Sequence, residues 1–329
     1  TVSSVFGAAS PKQNAADLQS KGWELALNWT QNSSLAGKPF NWNVGFGISD
    51  YTAEITRFDN PNNLLNTYYV GQQIGEIWGY RVGGFFQTDA EAQAYKVNQD
   101  YVNQQRLKAP GNWAKLSAGD IKFLDINGDG VVNNGKNTLA DHGDMEVIGN
   151  SLPRYSYGIN AGFNWGNFDL SAMFQGIGKQ QWYPGNNADK FWGPFSRPYY
   201  SFVDKDFLSD VWTPENPNAY FPKLRGYEAL NDRGELNVKN DRYLQDLAYI
   251  RLKNLTIGFS LPETALKRIK LSKVRVYLSG ENLFTFTKLR SNYIDPEQAA
   301  GDYNNSTADP NARVYSFSKL YSFGLDVSF

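Results

Sequence analysis

The last fourteen residues of the chain alternate strictly between two kinds of side chain. One set is apolar except for a single lysine: Phe317, Lys319, Tyr321, Phe323, Leu325, Val327 and Phe329. The residues between them are mostly small and polar: Ser316, Ser318, Leu320, Ser322, Gly324, Asp326 and Ser328. Successive side chains of a strand point to opposite faces, so this pattern predicts a β-strand with one apolar and one polar face.

The same alternation recurs along most of the chain. It covers residues 23–30, 40–48, 155–165, 168–175, 246–260 and 274–286. The polar faces carry Ser, Gly, Asn and Asp rather than Lys and Glu, which is typical of strands that face lipid on one side and a wet lumen on the other. We therefore predict an all-β fold, an antiparallel transmembrane β-barrel with at least seven strands. The apolar parity changes between Leu252 and Leu255, which predicts a β-bulge.

The connections between these segments alternate between short and long. The short ones lie at about 31–39, 166–167 and 262–270, and the long ones at about 53–153, 178–244 and 288–314. Outer-membrane barrels have short periplasmic turns and long extracellular loops. We predict one barrel domain over residues 1–329 with three long extracellular loops, the first containing a helix at about 89–105. A soluble β-sandwich gives no reason for every second connection to be long.

Composition excludes several classes of function. The net charge of −1 gives no bulk attraction to nucleic acid. The chain has no Cys and a single His, His142, which argues against a thiolate or multi-histidine metal centre and against His-based catalysis. No motif places a pair of carboxylates or a nucleophile, so we do not expect an enzyme. The aromatic content of 15% suits the aromatic girdles of a membrane barrel.

Seven strands are too few for a barrel with such long loops. Bacterial barrels use even strand numbers, and an open edge in lipid leaves unpaired backbone groups that cost several kcal/mol each. The chain begins TVSSVFGAAS, without the signal peptide that a membrane or secreted protein needs, so either this peptide was removed or the chain is part of something longer. The strand count favours the second explanation. We therefore expect the chain to be the C-terminal part of a longer protein that supplies the remaining strands.

Five segments in series resemble the C-terminal barrel half of SusC/RagA-type TonB-dependent transporters. They are GEIWGYRVGGFFQT (75–88), GDIKFLDINGDGVV (119–132), VIGNSLPRYSYGINAGFNWGNFDLSAMFQG (147–176), YIRLKNLTIGFSLP (249–262) and VRVYLSGENLFTFTKL (274–289). Their order and the terminal Phe329 are also similar. The resemblance implies a 22-stranded barrel in the outer membrane of a Gram-negative bacterium, in contact with lipid and lipopolysaccharide. It also implies Phe329 as an outer-membrane assembly signal.

The resemblance further implies partners and a cargo. Members of this family have an N-terminal plug, are energised by TonB, and are capped by a SusD-like surface lipoprotein. Together they import oligosaccharides or peptides. This chain lacks the plug, the TonB-contacting segment and the N-terminal strands. The alternative is an extracellular soluble β-sandwich, a carbohydrate-binding or carbohydrate-active module with a structural calcium.

An acidic, glycine-rich segment is the strongest local motif. Oxygen ligands at positions 1, 3, 5 and 7 of a calcium-type loop would come from Asp125, Asn127, Asp129 and the backbone carbonyl of Val131. Position 12 is Lys136 instead of the usual Glu, so Asp141 or Asp144 would have to supply a later carboxylate. The alternative is an Asx-rich turn stabilised by its own hydrogen bonds. With or without Ca²⁺, we expect a structural role in holding a loop.

Two further sets of residues have several possible roles. The aromatic residues of the second long loop could pack on one another, contact a partner protein or stack on a ligand: Trp182, Tyr183, Phe191, Trp192, Phe195, Tyr199, Tyr200, Trp212, Tyr220 and Phe221. Four charged residues in the strands are expected to face the lumen, lining water or pairing with the plug: Arg154, Asp169, Arg275 and Glu281.

Overall fold

A computed structural model describes residues 15–104, 115–196, 203–299 and 315–329. Its thirteen strands are β1 (Ala16–Leu35), β2 (Lys38–Phe58), β3 (Glu76–Gly79), β4 (Val82–Phe85), β5 (Ile121–Phe123), β6 (Glu146–Asn150), β7 (Arg154–Trp165), β8 (Phe168–Lys179), β9 (Gln181–Trp182), β10 (Gln245–Asp246), β11 (Tyr249–Ser260), β12 (Lys273–Thr287) and β13 (Leu320–Ser328). Its α-helices are α1 (Asp89–Ala94), α2 (Asp189–Trp192), α3 (Glu263–Ile269) and α4 (Pro296–Ala299).

Seven of the strands form one antiparallel sheet in the order β1-β2-β7-β8-β11-β12-β13. Each strand pairs with the sheet strand that precedes it in the chain, so the sheet is an up-and-down meander. The predicted all-β antiparallel fold with at least seven strands is confirmed. Within the described residues β1 and β13 are the two edges of an open sheet.

The first hairpin is longer than the sequence pattern predicts. The turn expected at 31–39 is confined to Ala36 and Gly37, whose φ angles of 52° and 75° are those of a tight two-residue hairpin turn. The apolar alternation of β1 stops at Trp29, but Ser33 still pairs with Phe40 of β2. Backbone hydrogen bonding to a partner therefore extends the strand beyond the point where its own side-chain pattern ends.

Other boundaries also differ from the expectation. Strand β2 continues to Phe58, so the first long connection starts at residue 59 instead of 53. The last strand begins at Leu320 instead of Ser316. The bulge predicted near residue 252 is confirmed, because the register of β11 shifts between Leu252 and Asn254 against both of its neighbours.

The predicted helix at 89–105 is wrong between Ala94 and Gln104. Thr88 caps α1 by accepting a hydrogen bond from the Glu91 N–H, but α1 ends at Ala94, and a 3₁₀ turn at Tyr101–Asn103 precedes Gln104. Between them, the Asn98 backbone pairs with the acidic segment, donating to Gly130 O at 2.8 Å and accepting from Val132 N at 2.8 Å. These tertiary hydrogen bonds compete with a continued helix. In the described part of the chain every helix is too short or too polar to cross a membrane.

The hydrophobic core lies in the long connections and not in the sheet. Residues 59–153, 180–248 and 288–299, as far as they are described, pack together at one end of the sheet; we call them the loop body. The small sheets β3–β6, β4–β5 and β9–β10 belong to it. Most fully buried side chains are here, including Trp192, Tyr243 and Phe86. All three short turns lie at the other end, the short-turn end.

Candidate functional site: a two-faced wall and its loop body

The strand registers gather the apolar side chains on one face of the sheet, here called the apolar face. One row crosses six neighbouring strands and consists of Leu27, Phe46, Ile159, Phe174, Leu252 and Phe284. A second row near the short-turn end consists of Phe40, Trp165, Phe168, Phe259, Val276 and Leu325. The face is therefore continuous from β1 to β13.

Much of the apolar face is uncovered. Phe284, Phe323 and Leu278 are 57%, 70% and 62% exposed. Burying one such side chain contributes about 1.5–3 kcal/mol, and soluble monomers rarely expose contiguous apolar patches above a few hundred Å². A face of this extent therefore requires an apolar environment.

The opposite face of the sheet, the polar face, carries small uncharged groups along its central row. One row crosses all seven strands and consists of Thr30, Asn43, Gly162, Ser171, Thr256, Ser279 and Ser322. Thr256 donates to Ser279 across the row at 3.2 Å. Hydroxyl and amide side chains without charge suit a hydrated surface that does not trap ions.

Charged residues on the polar face tie strands together. Arg275 of β12 donates to both oxygens of Asp169 on β8, at 2.9 and 2.6 Å, and to Asp326 of β13 at 3.3 Å. Gly258 of the intervening strand makes room, because a Cβ there would lie 2.4 Å from the Asp169 carboxylate. Glu281 lies in register with Asn254 of β11. Hence Arg275 and Asp169, predicted to face a lumen, pair with each other.

Arg154, predicted to face the lumen, lies at the start of β7 beside the loop body. Its guanidinium donates two hydrogen bonds of 2.5 Å to Asp50 of β2. The Asp50 side chain is 6% exposed. This bidentate pair fastens β7 to β2 where the sheet meets the loop body.

The aromatic residues of the second long loop pack on one another. Phe207 and Phe221 stack with ring centroids 4.8 Å apart, and Trp192 meets Tyr243 edge-on at 5.3 Å. The buried members predicted from the sequence are Trp182, Phe191, Trp192, Phe195, Trp212 and Phe221. For these six the self-packing interpretation is the one observed. Tyr199 and Tyr200 lie outside the described residues.

The remaining tyrosines of this core donate hydrogen bonds inward. The Tyr183 hydroxyl donates to Leu236 O at 2.8 Å, and the Tyr243 hydroxyl donates to Tyr220 O at 3.2 Å. Burial raises the pKa of Tyr183 and of Tyr243 well above the ordinary value. These hydroxyls therefore remain neutral donors at any physiological pH.

Buried ion pairs join the loops to one another and to the sheet. Arg225 donates to both oxygens of Asp120 at 2.6 Å, linking the second loop to the first. Burial disfavours the charge on Arg225, but the hydrogen bonds to Asp120 and the negative charges of Asp120 and Glu235 together outweigh it and raise the Arg225 pKa. The third loop binds the sheet in the same manner through Arg251 of β11, which donates to Asp295 at 2.6 Å and to Glu297 at 2.9 Å.

The β-bulge contributes to this last contact. Lys253, the extra residue of the bulge, donates to both oxygens of Glu297 at 2.7 and 2.8 Å. Side-chain exposure of the four charged groups ranges from 3% for Arg251 to 22% for Glu297. The alternation pattern does not predict this network. Its signal in the sequence is two cations within one strand, Arg251 and Lys253, followed by two acids in the third loop.

The structure brings some of the predicted metal-loop residues together. Asp125 accepts from Gly128 N and Gly130 N, both at 2.8 Å, and Asp129 accepts from Val131 N at 2.8 Å. Asn127 accepts from the Asp129 N–H at 3.0 Å. These are the hydrogen bonds of an Asx-rich turn.

Of the two candidate late carboxylates, Asp144 joins the loop. It is fully buried and accepts from Ile126 N at 2.7 Å and from Asn133 N at 2.9 Å. Asp141 lies 3.9 Å from the Lys136 ammonium. Among the described residues no three His, Asp or Glu side chains are grouped to hold a metal. The donor set is all oxygen, as Ca²⁺ prefers, but each carboxylate oxygen of Asp125 and Asp144 already accepts an N–H. Calcium binding stays a prediction.

The chain is similar in sequence to several known proteins. No family model matches the chain. It is 25% identical over 344 residues to TonB-dependent receptor P3 of Formosa agariphila, covering 98% of the chain and 30% of that protein. It is 23% identical over 308 residues to TonB-dependent receptor SusC of Bacteroides thetaiotaomicron, covering 93% of the chain and 26% of that protein.

The fold has a counterpart among solved structures. A structure of the RagAB peptide transporter matches all of this chain with a TM-score of 0.64 and 21% identity, over 31% of its own chain. The predicted resemblance to SusC/RagA-type TonB-dependent transporters is confirmed, and so is the barrel-type fold. The chain spans less than a third of the length of these relatives.

Proposed function

We propose that this chain forms part of the barrel wall of a SusC-like TonB-dependent transporter in the outer membrane of a Gram-negative bacterium. The observation that carries the proposal is the apolar face, which is continuous over seven strands and exposed in the described structure. Lipid supplies the apolar environment that this face requires. Such a wall needs further strands, because open edges in lipid leave backbone groups unpaired.

The polar face supports a transport pathway or a plug-filled lumen. Its rows of Thr, Asn, Ser and Gly present hydrogen-bonding groups without net charge, which suits hydrated cargo such as an oligosaccharide or a peptide. The relatives point to both cargo classes, since one is named SusC and the solved structure is titled a peptide transporter. The plug and the TonB-contacting segment would come from the rest of the longer protein.

A SusD-like surface lipoprotein is the proposed partner at the loop-body end. The loop body packs its own core and is tied to the sheet by the Arg251 and Arg154 pairs, so it can present a firm surface. The support for this partner is the similarity to SusC and to the RagAB transporter. The function proposed for the loop body is therefore docking, with no chemistry of its own.

The alternative of a soluble carbohydrate-binding or carbohydrate-active sandwich is not favoured. A sandwich buries its apolar face against a second sheet. Within the described residues the apolar face of the seven-stranded sheet has no such cover, while a separate core exists in the loop body.

Gel mobility of the full-length protein in mild detergent, with and without boiling, tests the proposal. A band that shifts on heating and lies far above the 37.0 kDa of this chain is the expected result. Material that needs no detergent and runs as one unshifted band near 37 kDa would show a soluble β-protein. Co-purification of a lipoprotein through a tag on the full-length protein tests the partner separately.

Phe329 is proposed as an outer-membrane assembly signal. Its side chain is 96% exposed, while its backbone carbonyl accepts a hydrogen bond of 3.2 Å from Ser272. Deleting Phe329 should lower the amount of folded protein in the outer membrane, and Phe329→Tyr, which keeps the ring, should not. Normal membrane levels after the deletion would reject this role.

A further inference from the structure

The turn between β11 and β12 carries a concentration of exposed cations. Helix α3 buries Leu266 and leaves its basic residues in solvent. We define the basic turn as Lys267, Arg268 and Lys270, all of them exposed. Lys273 is not part of it, because it begins β12 on the polar face, with the same parity as Arg275. Within residues 262–273 the one acidic side chain is Glu263.

The carboxylates on the neighbouring strands are already engaged. Asp169 and Asp326 face Arg275 on the polar face of the sheet. Among the described residues none of the three cations of the basic turn forms an ion pair. Cations of the loop body differ, because several face an acid: Arg81 with Glu146, Lys122 with Glu91 and Arg290 with Asp210.

The basic turn lies directly beside an aromatic belt on the apolar face. Phe40, Trp165, Phe168 and Phe259 are neighbours in successive strands at the short-turn end. The rings of Phe168 and Phe259 lie 4.9 Å apart, and Phe259 precedes α3 by four residues. Aromatic belts of membrane proteins lie at headgroup level. Cations that follow such a belt along the chain are therefore carried to the depth of the lipid phosphates.

A further cation lies at the β1–β2 turn, at the other end of the belt. Lys38 follows the Ala36–Gly37 turn, and its ammonium lies 5.8 Å from the Trp165 ring centroid. Positive charge is therefore present at both ends of the aromatic belt, next to the apolar face. A bilayer requires cations to lie beside an apolar face in this way, whereas a protein partner does not.

We propose that the basic turn binds the phosphate groups of anionic phospholipids in the leaflet at the short-turn end. The inference rests on the proposed function, since it needs a bilayer around the sheet. Several Lys and Arg side chains next to a membrane surface attract anionic lipid additively, and the attraction weakens as salt screens it. The basic turn would thereby fix the depth of the sheet in the membrane.

The test compares lipid retention by full-length transporters in nanodiscs of mixed phosphatidylcholine and phosphatidylglycerol. The variant Lys267→Gln, Arg268→Gln, Lys270→Gln removes the charges of the basic turn. The matched control, Lys136→Gln with Lys205→Gln, removes exposed lysines of the loop body (83% and 86% exposed side chains). Native mass spectrometry of protein released from the discs reports the ratio of phosphatidylglycerol to phosphatidylcholine that stays bound.

The unmodified protein and the control should retain phosphatidylglycerol several-fold above its share of the bilayer, and the triple variant should retain the bulk ratio. High salt should reduce the enrichment in the unmodified protein. Equal enrichment in the triple variant would overturn the inference. So would displacement of the lipid by inorganic phosphate at matched ionic strength, which would indicate a site for the free anion.

Two further measurements keep the outcomes separate. A heat-shifted gel band shows that each variant is folded. If the triple variant fails to fold, the double variant Lys267→Gln with Lys270→Gln replaces it and should show an intermediate enrichment. An unmodified protein without a heat shift would contradict the proposed function itself. A heat-shifted protein without lipid enrichment would contradict only the lipid inference.

Discussion

The sheet and the loop body place the same kinds of residue in opposite environments. Phe323 on the apolar face is 70% exposed, whereas Trp192 and Phe195 in the loop body are fully buried. A protein that was soluble throughout would bury both sets. The difference indicates that the loop body is suited to fold in water, whereas the sheet is suited to contact with an apolar medium.

Charged groups show the same contrast. In the sheet, backbone groups are paired by the strand ladders, and the central row of the polar face carries no charge. In the loop body the backbone is irregular, so buried donors and acceptors need side-chain partners. Asp120, for example, accepts from Ser117 N at 2.9 Å in addition to its two bonds from Arg225. The ion pairs of the loop body therefore replace the regular hydrogen bonding that the sheet provides for itself.

The largest expected effect comes from opening the loop-body core. Trp192→Ala should destabilise the loop body by about 3–5 kcal/mol, because a fully buried ring is lost and a cavity remains. Native-state proteolysis of residues 180–248 in the full-length protein measures the loss. Phe323→Ala is the matched control and should leave the loop body unchanged; equal effects would erase the distinction between the two regions.

Breaking the tie between the third loop and the sheet should rank next. Arg251→Met should cost about 3 kcal/mol, because Asp295 and Glu297 would lose their partner while largely buried. Hydrogen exchange in residues 288–299 is the measurement. The control is Arg57→Met, which removes the pair with Asp17 at side-chain exposures of 60% and 55% and should have no measurable effect. Unchanged exchange after Arg251→Met would show that Lys253 alone holds the segment.

A charge on the apolar face directly tests whether that face contacts lipid. Leu278→Arg should destabilise the folded barrel by about 2–3 kcal/mol in a bilayer, since a cation would face the hydrocarbon. Leu278→Phe should be tolerated at the same position. Refolding into lipid vesicles with increasing urea measures both. A tolerated arginine would mean that this exposed side of the sheet faces water.

The smallest expected effect concerns the acidic segment. Asp125→Ala with Asp129→Ala removes three acceptors of backbone N–H groups and should make residues 119–150 more sensitive to protease. If Ca²⁺ is bound, a chelator should reproduce this in the unmodified protein and add nothing in the variant. Asp141→Ala is the control outside the turn. A chelator without effect on the unmodified protein would reject the metal and leave the bare turn.

The alternation of side chains correctly predicted features that depend on a single strand. It failed where another segment of the chain sets the local structure. The bulge at Leu252 was predictable because a parity change has one cause in a strand. The end of β1 was not, since Ser33 is held in the strand by Phe40 of its neighbour. The helix expected to continue past Ala94 is replaced by backbone pairing between Asn98 and the acidic segment. The composition of the residues that follow Ala94 does not indicate that they pair with the acidic segment.

The candidate site was also predicted only in part from the sequence. The sequence indicated the Asp125–Asp129 turn and the aromatic loop, but it left three roles open for the rings and two candidates for the late carboxylate. The structure places Asp144 inside the turn and buries Trp192. The pairing of Arg275 with Asp169 and of Arg251 with Asp295 could not be foreseen, because these partners are distant in the chain.

By itself the sequence determined that the chain forms a two-faced antiparallel sheet with alternating short and long connections. Side-chain direction in a strand follows the local backbone, so alternation is a local property that needs no knowledge of distant residues. Only the tertiary structure decided how the long connections pack into one body, and which carboxylates face which cations. Those outcomes depend on contacts between segments far apart in the chain, and packing and charge pairing act through space.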